Sequence, residues 1–301
     1  MKDRAFEVRQ RAERLAAGVP PLLTASERVA VTVAPGIHGR RRAGRGETFW
    51  QFRQYQPGDP AQRIDWRRSA KSQPLYVRET EWEAAQSVWL WADGSASMDY
   101  RSHRALPSKR ERAVVLALAL AILLVRSGEN VALLGADRAA SHGPAVLDRM
   151  TFALTRARPQ TGQKAADDDP GLPAFALLPR FSQLVLIGDF LAPIAAIERR
   201  LRRFAARHVT GHILQVLDPA EATLPFAGRT RFQGLENDGE VLIRRVERAR
   251  GDYLARLEAQ REGLRRLARA TDWTVTEHTT DRPPQAALLA LHASLSATVE
   301  G

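Results

Sequence analysis

Five segments, SVWLWA (87–92), NVALLGAD (130–137), QLVLIGDF (183–190), HVTGHILQVL (208–217) and WTVTEHTT (273–280), alternate with helical patterns near 109–127, 144–156, 171–178, 193–206, 246–269 and 284–296. A run such as SVWLWA lacks the two-residue alternation of a sheet with one wet face, so such strands have to be covered on both sides. Apolar strands alternating with helices meet that demand as layers of helix on a parallel sheet. This pattern predicts a doubly wound, mostly parallel α/β domain of the Rossmann type, with ligands gathering beyond the carboxyl ends of its strands.

Two pieces fall outside that rhythm. Residues 3–17 read as a helix, and PGIHGRRRAGRGE then interrupts with glycine, proline and arginine. The arginines at 40, 41, 42 and 45 have no flanking aromatics or helical register, so a solvated loop is expected there. From Glu47 to Glu83 the pattern is strand and turn (TFWQFRQY, PGDP, LYVRETEW), and LPFAGRTRFQGLENDGEVLIR at 224–244 offers two more strand-like pieces around Asn237-Asp238-Gly239. A two-stranded ribbon is marginal in water. The two pieces are therefore expected to join, with Phe52 and Trp66 filling a small core. The resulting division is residues 1–85 as an N-terminal helix and small β subdomain, and 86–301 as the α/β domain, with the hairpin insertion at about 218–245 joining the small subdomain.

Composition narrows the function classes. The net charge is +11, but lysine occurs only at 2, 71, 109 and 164, leaving 41 arginines beside abundant alanine, a bias that GC-rich coding alone produces. Charge is thus weak support for an anionic partner. The absence of cysteine excludes disulfides and thiolate chemistry and fits a reducing compartment. The longest apolar run, Ala113 to Val125, falls short of the roughly 20 residues a membrane span needs. The expectation is a cytoplasmic protein with no transmembrane segment, peripheral membrane association being left open.

The chemistry concentrates in WADGSASM. Asp93, Ser95 and Ser97 stand at i, i+2 and i+4 where the first apolar strand ends, and alternate residues of an extended turn project to one side. QLVLIGDF puts Asp189 at the same edge, and the intervening loop RPQTGQKAADDD offers Thr161, with Thr155 as a weaker competitor. Oxygen ligands that include hydroxyls and no imidazole suit a hard cation such as Mg²⁺. Other readings are a nucleophile and a capped helix start. A haloacid dehalogenase-type phosphatase wants a second aspartate where Ser95 stands, and a serine elbow wants glycine where Ser97 stands. His208 and His212 on one strand make an improbable zinc pair.

D-G-S-A-S-M, a threonine loop and V-L-I-G-D-F together resemble the metal-ion-dependent adhesion site (MIDAS) of von Willebrand factor A domains. The resemblance implies Asp93, Ser95, Ser97, Thr161 and Asp189 as ligands of Mg²⁺ or Mn²⁺. F-R-Q-Y-Q-P-G-D-P-A-Q-R-I-D-W-R-R-S-A-K at 52–71, L-D-P-A-E at 217–221 and L-P-F-A-G-R at 224–229 resemble the bacterial family called domain of unknown function 58. Lys71, Gln62 and Gly188 depart from its usual residues without removing a ligand. The resemblance implies a non-enzymatic, chaperone-like adaptor, acting with a MoxR-type AAA+ ATPase in protein maturation or assembly and gripping an acidic residue of a client through the metal. Arg53, Asp59, Arg63 and Asp65 are candidates for a partner-contacting surface. The competing and stronger account makes 57–59 a turn and pairs Arg53 or Arg63 with Asp65. Two further functions stay open: a metal-dependent hydrolase with Asp93 and Asp189 as ligands, and an arginine-driven nucleic-acid binder, the less expected partner.

Overall fold

The computed structural model describes residues 2–18, 39–44, 48–55, 64, 66–69, 75–85, 87–156, 171–236 and 239–297. They form two compact units, one of residues 39–85 and one that joins the N-terminal helix to residues 87–297.

The chain opens with α1 (Lys2–Ala17). The smaller unit is an antiparallel sheet of β1 (Gly39–Gly44), β2 (Thr48–Gln54) and β3 (Tyr76–Ala85), with β3 in the middle. Its β2 ladder shifts register between Phe49 and Gln51, and Ile64 bridges to the buried Val77. Arg40, Arg41 and Arg42 therefore lie in a strand and not in a loop, paired with Ala84, Glu83 and Trp82. Trp66, expected to fill the small core, stands 63% exposed.

The larger unit carries β4 (Ser87–Ala92), α2 (Lys109–Arg126), β5 (Asn130–Leu133), α3 (Pro144–Arg156), β6 (Gln183–Gly188), α4 (Ile194–Ala205), β7 (Thr210–Leu217), α5 (Pro219–Thr223), β8 (Thr230–Gln233), β9 (Glu240–Ile243), α6 (Val246–Thr271), β10 (Trp273–Thr279) and α7 (Pro284–Ala297). Five strands make one parallel sheet in the order β10-β7-β6-β4-β5, and helices cover both faces. This is the doubly wound α/β fold that the alternation predicts. On one face α1, α2, α3 and α7 share a core, with Ala12, Leu15 and Ala16 of α1 buried in it. On the other, Ile197, Leu201 and Phe204 of α4 meet Leu264 and Leu267 of α6. Because the sheet lies beneath α2 and three helices surround it, nearly every side of α2 is apolar. Ser108 and Glu111 form a reciprocal capping box at its start.

Three boundaries differ from the sequence reading. Helix α1 belongs to the larger unit because Ala12, Leu15 and Ala16 on its apolar stripe are buried in the core that it shares with α2. Residues 171–182 carry no helix. Gly171, Pro173 and Pro179 break that stretch, and it buries Leu172 and Leu178 without regular structure. Among the described residues β8 and β9 form a two-stranded sheet of their own. The missing partner of the small ribbon is β1, which the arginines concealed. The hairpin's base is held locally instead: Arg250 donates to the carbonyls of Leu224 and Phe226, both at 2.9 Å, and Glu247 accepts from the Gly228 amide at 2.7 Å.

Candidate metal centre at the switch point

The sheet is built outward from β4, first to β5 on one side and then to β6 on the other, so β4 and β6 flank the point where strand order reverses. Asp93 follows β4 and Asp189 follows β6, which makes the two carboxylates neighbours. The Asp93 amide donates to the Ile187 carbonyl at 2.8 Å, continuing the ladder to the last possible residue.

Beyond Asp93 the strand does not continue. Asp93 Oδ1 accepts from the Ser95 amide at 2.7 Å, an Asx turn, and Ala96–Asp99 is a turn of 3₁₀ helix. Convergence of the side chains thus comes from two successive tight turns and not from strand alternation. Arg110 pins the loop from below, donating to the carbonyls of Gly94 at 3.0 Å and Ser95 at 2.8 Å and pairing with Asp99 at 2.5 Å.

The result is a chain of hard oxygens. Ser97 Oγ donates to Asp189 Oδ2 at 2.8 Å, and Ser95 Oγ lies 3.0 Å from Ser97 Oγ. A serine has one hydroxyl proton; with that of Ser97 given to Asp189, Ser95 is the donor between them. Asp93, Ser95 and Asp189 are all buried. Asp93 Oδ2 is buried without a hydrogen-bond partner. Burial, followed by the nearby Asp189 charge, pushes the Asp93 carboxyl up to about 7. Gly188 makes room for it, since a Cβ there would fall 2.9 Å from Asp93 Cβ and 3.2 Å from Oδ2.

Lys109, fully buried at the start of α2, donates to Asp189 Oδ2 at 2.9 Å and to Glu221 Oε1 at 2.6 Å. Burial works against its charge, but the two carboxylates outweigh it and hold its pKa above the ordinary lysine value. Glu221 is raised by burial, with Lys109 offsetting part of the effect. Its other oxygen accepts from the Asp218 amide at 2.9 Å, closing the capping box of α5. Glu236, from the turn of the hairpin, reaches the Ser97 amide at 3.4 Å.

Among the described residues no three His, Cys, Asp or Glu side chains gather into a metal-holding group. A cation here would rest on two carboxylates and two hydroxyls, and the donor set fits one: the unpartnered Asp93 oxygen and the carboxylate-serine chain are what a hard divalent ion satisfies. Asp93, Ser95, Ser97 and Asp189 lie together, though through tight turns and not through the alternation that the spacing suggests. Thr161 lies outside the described residues, and Thr155 donates within α3 to the Thr151 carbonyl at 2.7 Å. Of the candidate contact residues, Arg53 lies on β2 opposite Val77, while Asp59, Arg63 and Asp65 lie outside the described residues. His212 is buried and bonded to Thr274 at 2.8 Å, and burial lowers it to about 4, a core histidine.

Sequence reasoning missed Lys109, Glu221 and Glu236. The D-x-x-E spacing of Asp218 and Glu221 was the available signal for the second, since it marks a helix start. Nothing local marks Lys109 as buried.

Beside Ser97 and Asp189 opens a cavity of about 610 Å³ between α5, the hairpin and α6. No helix among the described residues is long and apolar enough to cross a membrane.

The chain is similar to the proteins called Uncharacterized protein Rv1480 of Mycobacterium tuberculosis and Uncharacterized protein Mb1516 of Mycobacterium bovis, each 32% identical over 258 residues, covering 83% of this chain and 80% of theirs. A crystal structure of the conserved hypothetical protein BatB from Bacteroides thetaiotaomicron aligns with 72% of this chain and all of its own at 15% identity and a TM-score of 0.44. The family described as Protein of unknown function DUF58 matches residues 51–263, and with the mycobacterial similarity this places the chain as a member of that family.

Proposed function

We propose that this protein is a non-enzymatic, metal-dependent adaptor that holds Mg²⁺ or Mn²⁺ at Asp93, Ser95, Ser97 and Asp189, with Thr161 as a further ligand, and uses it to grip a carboxylate on a protein partner. The observation that carries the reading is the buried, unpartnered Asp93 Oδ2 at the head of a carboxylate-serine chain. A bound divalent ion would supply a coordination position for an incoming carboxylate. The chain's own residues do the rest: Asp93 and Asp189 balance the charge, Ser95 and Ser97 orient their oxygens, and Lys109 fixes Asp189 from behind. The serine protons run along the chain toward Asp189, which suits ligation better than nucleophilic attack. Part of the arginine surplus is spent in ion pairs, Arg265 with Glu258 and Glu277 and Arg269 with Glu262, which favours a protein partner over nucleic acid.

The partner class rests on the resemblance noted from sequence: a MoxR-type AAA+ ATPase in the cytoplasm, together with a client bearing an acidic residue. Calorimetric titration of Mg²⁺ into the wild type and Asp93→Ala tests the site. Saturable binding in the first and none in the second is expected; indistinguishable heats would refute it.

A further inference from the structure

The hairpin insertion supplies no proposed metal ligand, and only its Glu236 reaches the Ser97 loop, yet its apolar residues wall the cavity that opens beside it. At one end of that cavity stand Ser97, Asp189 and Glu236; the walls are Leu224, Phe226, Phe232, Leu235 and Tyr253. Phe226 and Phe232 meet edge to face at 5.6 Å and 77°, and the Tyr253 hydroxyl is committed to the Glu221 carbonyl at 2.7 Å, which leaves its ring as a wall. Arg250 holds the carbonyls of Leu224 and Phe226, so the apolar side is braced by α6. On the rim, Leu191 and Leu235 are 44% and 47% exposed. Ligand pockets typically measure roughly 300–1,000 Å³, apolar with a few convergent polar groups, and this cavity has that form.

We infer that the cavity selects a partner segment in which a carboxylate stands beside a bulky apolar side chain, the carboxylate going to the metal end and the apolar group against the hairpin. This rests on the cation reading above and adds to it the class of segment recognised. Charge argues for the division of labour. The polar end carries Asp189, Glu221 and Glu236 against the one ammonium of Lys109, so a carboxylate is received there only with a divalent cation in place. The apolar wall needs no cation. Attraction to the two ends is thus separable by experiment, and the L-P-F-A-G-R motif acquires a role as the selecting wall.

The test uses the full chain with and without Mg²⁺ and three probes followed by NMR shift titration: acetate, 4-phenylbutyrate and 4-phenylbutylamine. With Mg²⁺, 4-phenylbutyrate should bind at least roughly tenfold more tightly than acetate, the gain from burying its phenyl and methylene groups. Leu235→Ser, at a half-exposed position, and Phe226→Ala should each shrink that ratio while acetate binding stays as in the wild type. Equal affinity for the two carboxylates in Mg²⁺ overturns this inference and leaves the cation reading standing. No binding of either carboxylate in Mg²⁺ overturns both. Preference for the amine over 4-phenylbutyrate in Mg²⁺ overturns the occupant, since the acidic end would then be selecting a cation-bearing segment.

Discussion

Replacing Asp93 by asparagine in metal-free protein should make the stability of the fold less dependent on pH. The Asp93 carboxyl titrates near 7 in the folded state against an ordinary value of 3.8, chiefly because it is buried. A carboxyl whose folded pKa is raised binds more protons folded than unfolded. Its stabilising contribution is therefore fully present below pH 3.8 and is lost as pH rises toward 7. At about 1.4 kcal/mol per pH unit, the wild type should lose about 3 kcal/mol between pH 5 and pH 8 through this one group. The asparagine variant cannot ionise, so that loss vanishes. Its amide would leave a buried N–H where Oδ2 was orphaned, a cost of roughly 1–3 kcal/mol at every pH. Only the pH dependence is diagnostic. Urea unfolding of both proteins in chelator at pH 5 and pH 8 reads it directly. The variant's stability relative to wild type should rise by about 3 kcal/mol from the lower pH to the higher. A relative stability that does not change with pH would show that Asp93 is solvated or neutralised by another group, and the electrostatic case for a cation would go with it.

Two other perturbations bear on the same cluster. Lys109→Met leaves Asp189 and Glu221 buried without their shared cation and should cost about 3–5 kcal/mol in denaturant unfolding, most of it recovered when Asp189→Asn and Glu221→Gln are added. Gly188→Ala sets a methyl group 2.9 Å from Asp93 Cβ, which should cost about 1–3 kcal/mol and weaken Mg²⁺ binding at least roughly tenfold by calorimetry; an unchanged affinity would mean that Asp93 moves freely.

Much of this molecule follows from local pattern. Each apolar strand, apolar because it lies between two layers, announces its own burial, and a helix apolar on almost every side requires neighbours all round. Since the reversal of strand order brings two strand ends together, an aspartate just past each of two central strands was enough to pair Asp93 with Asp189. Gly188 is legible only in coordinates, because its small size matters through a side chain 95 positions away in sequence. The same holds for Lys109. Its neighbours in sequence, Ser108 and Arg110, are polar and read as an exposed helix start, yet it is fully buried beside Asp189, which follows β6, and Glu221 of α5. Strand β1 escaped notice for the converse reason. An edge strand is defined by the ladder it accepts from its neighbour, so Arg40 to Arg42 could enter a sheet with no apolar pattern of their own. Trp66 shows the limit of composition, since an aromatic residue in a small layer is buried only where another element covers it, and here it is 63% exposed. Sequence alone determined which segments are buried and which residues could ligate a hard cation, for these depend on chemistry carried by each residue and its near neighbours. Tertiary structure decided which distant charges meet, which glycine is indispensable and which wall the hairpin builds, because those depend on positions set by the sheet and not by the chain.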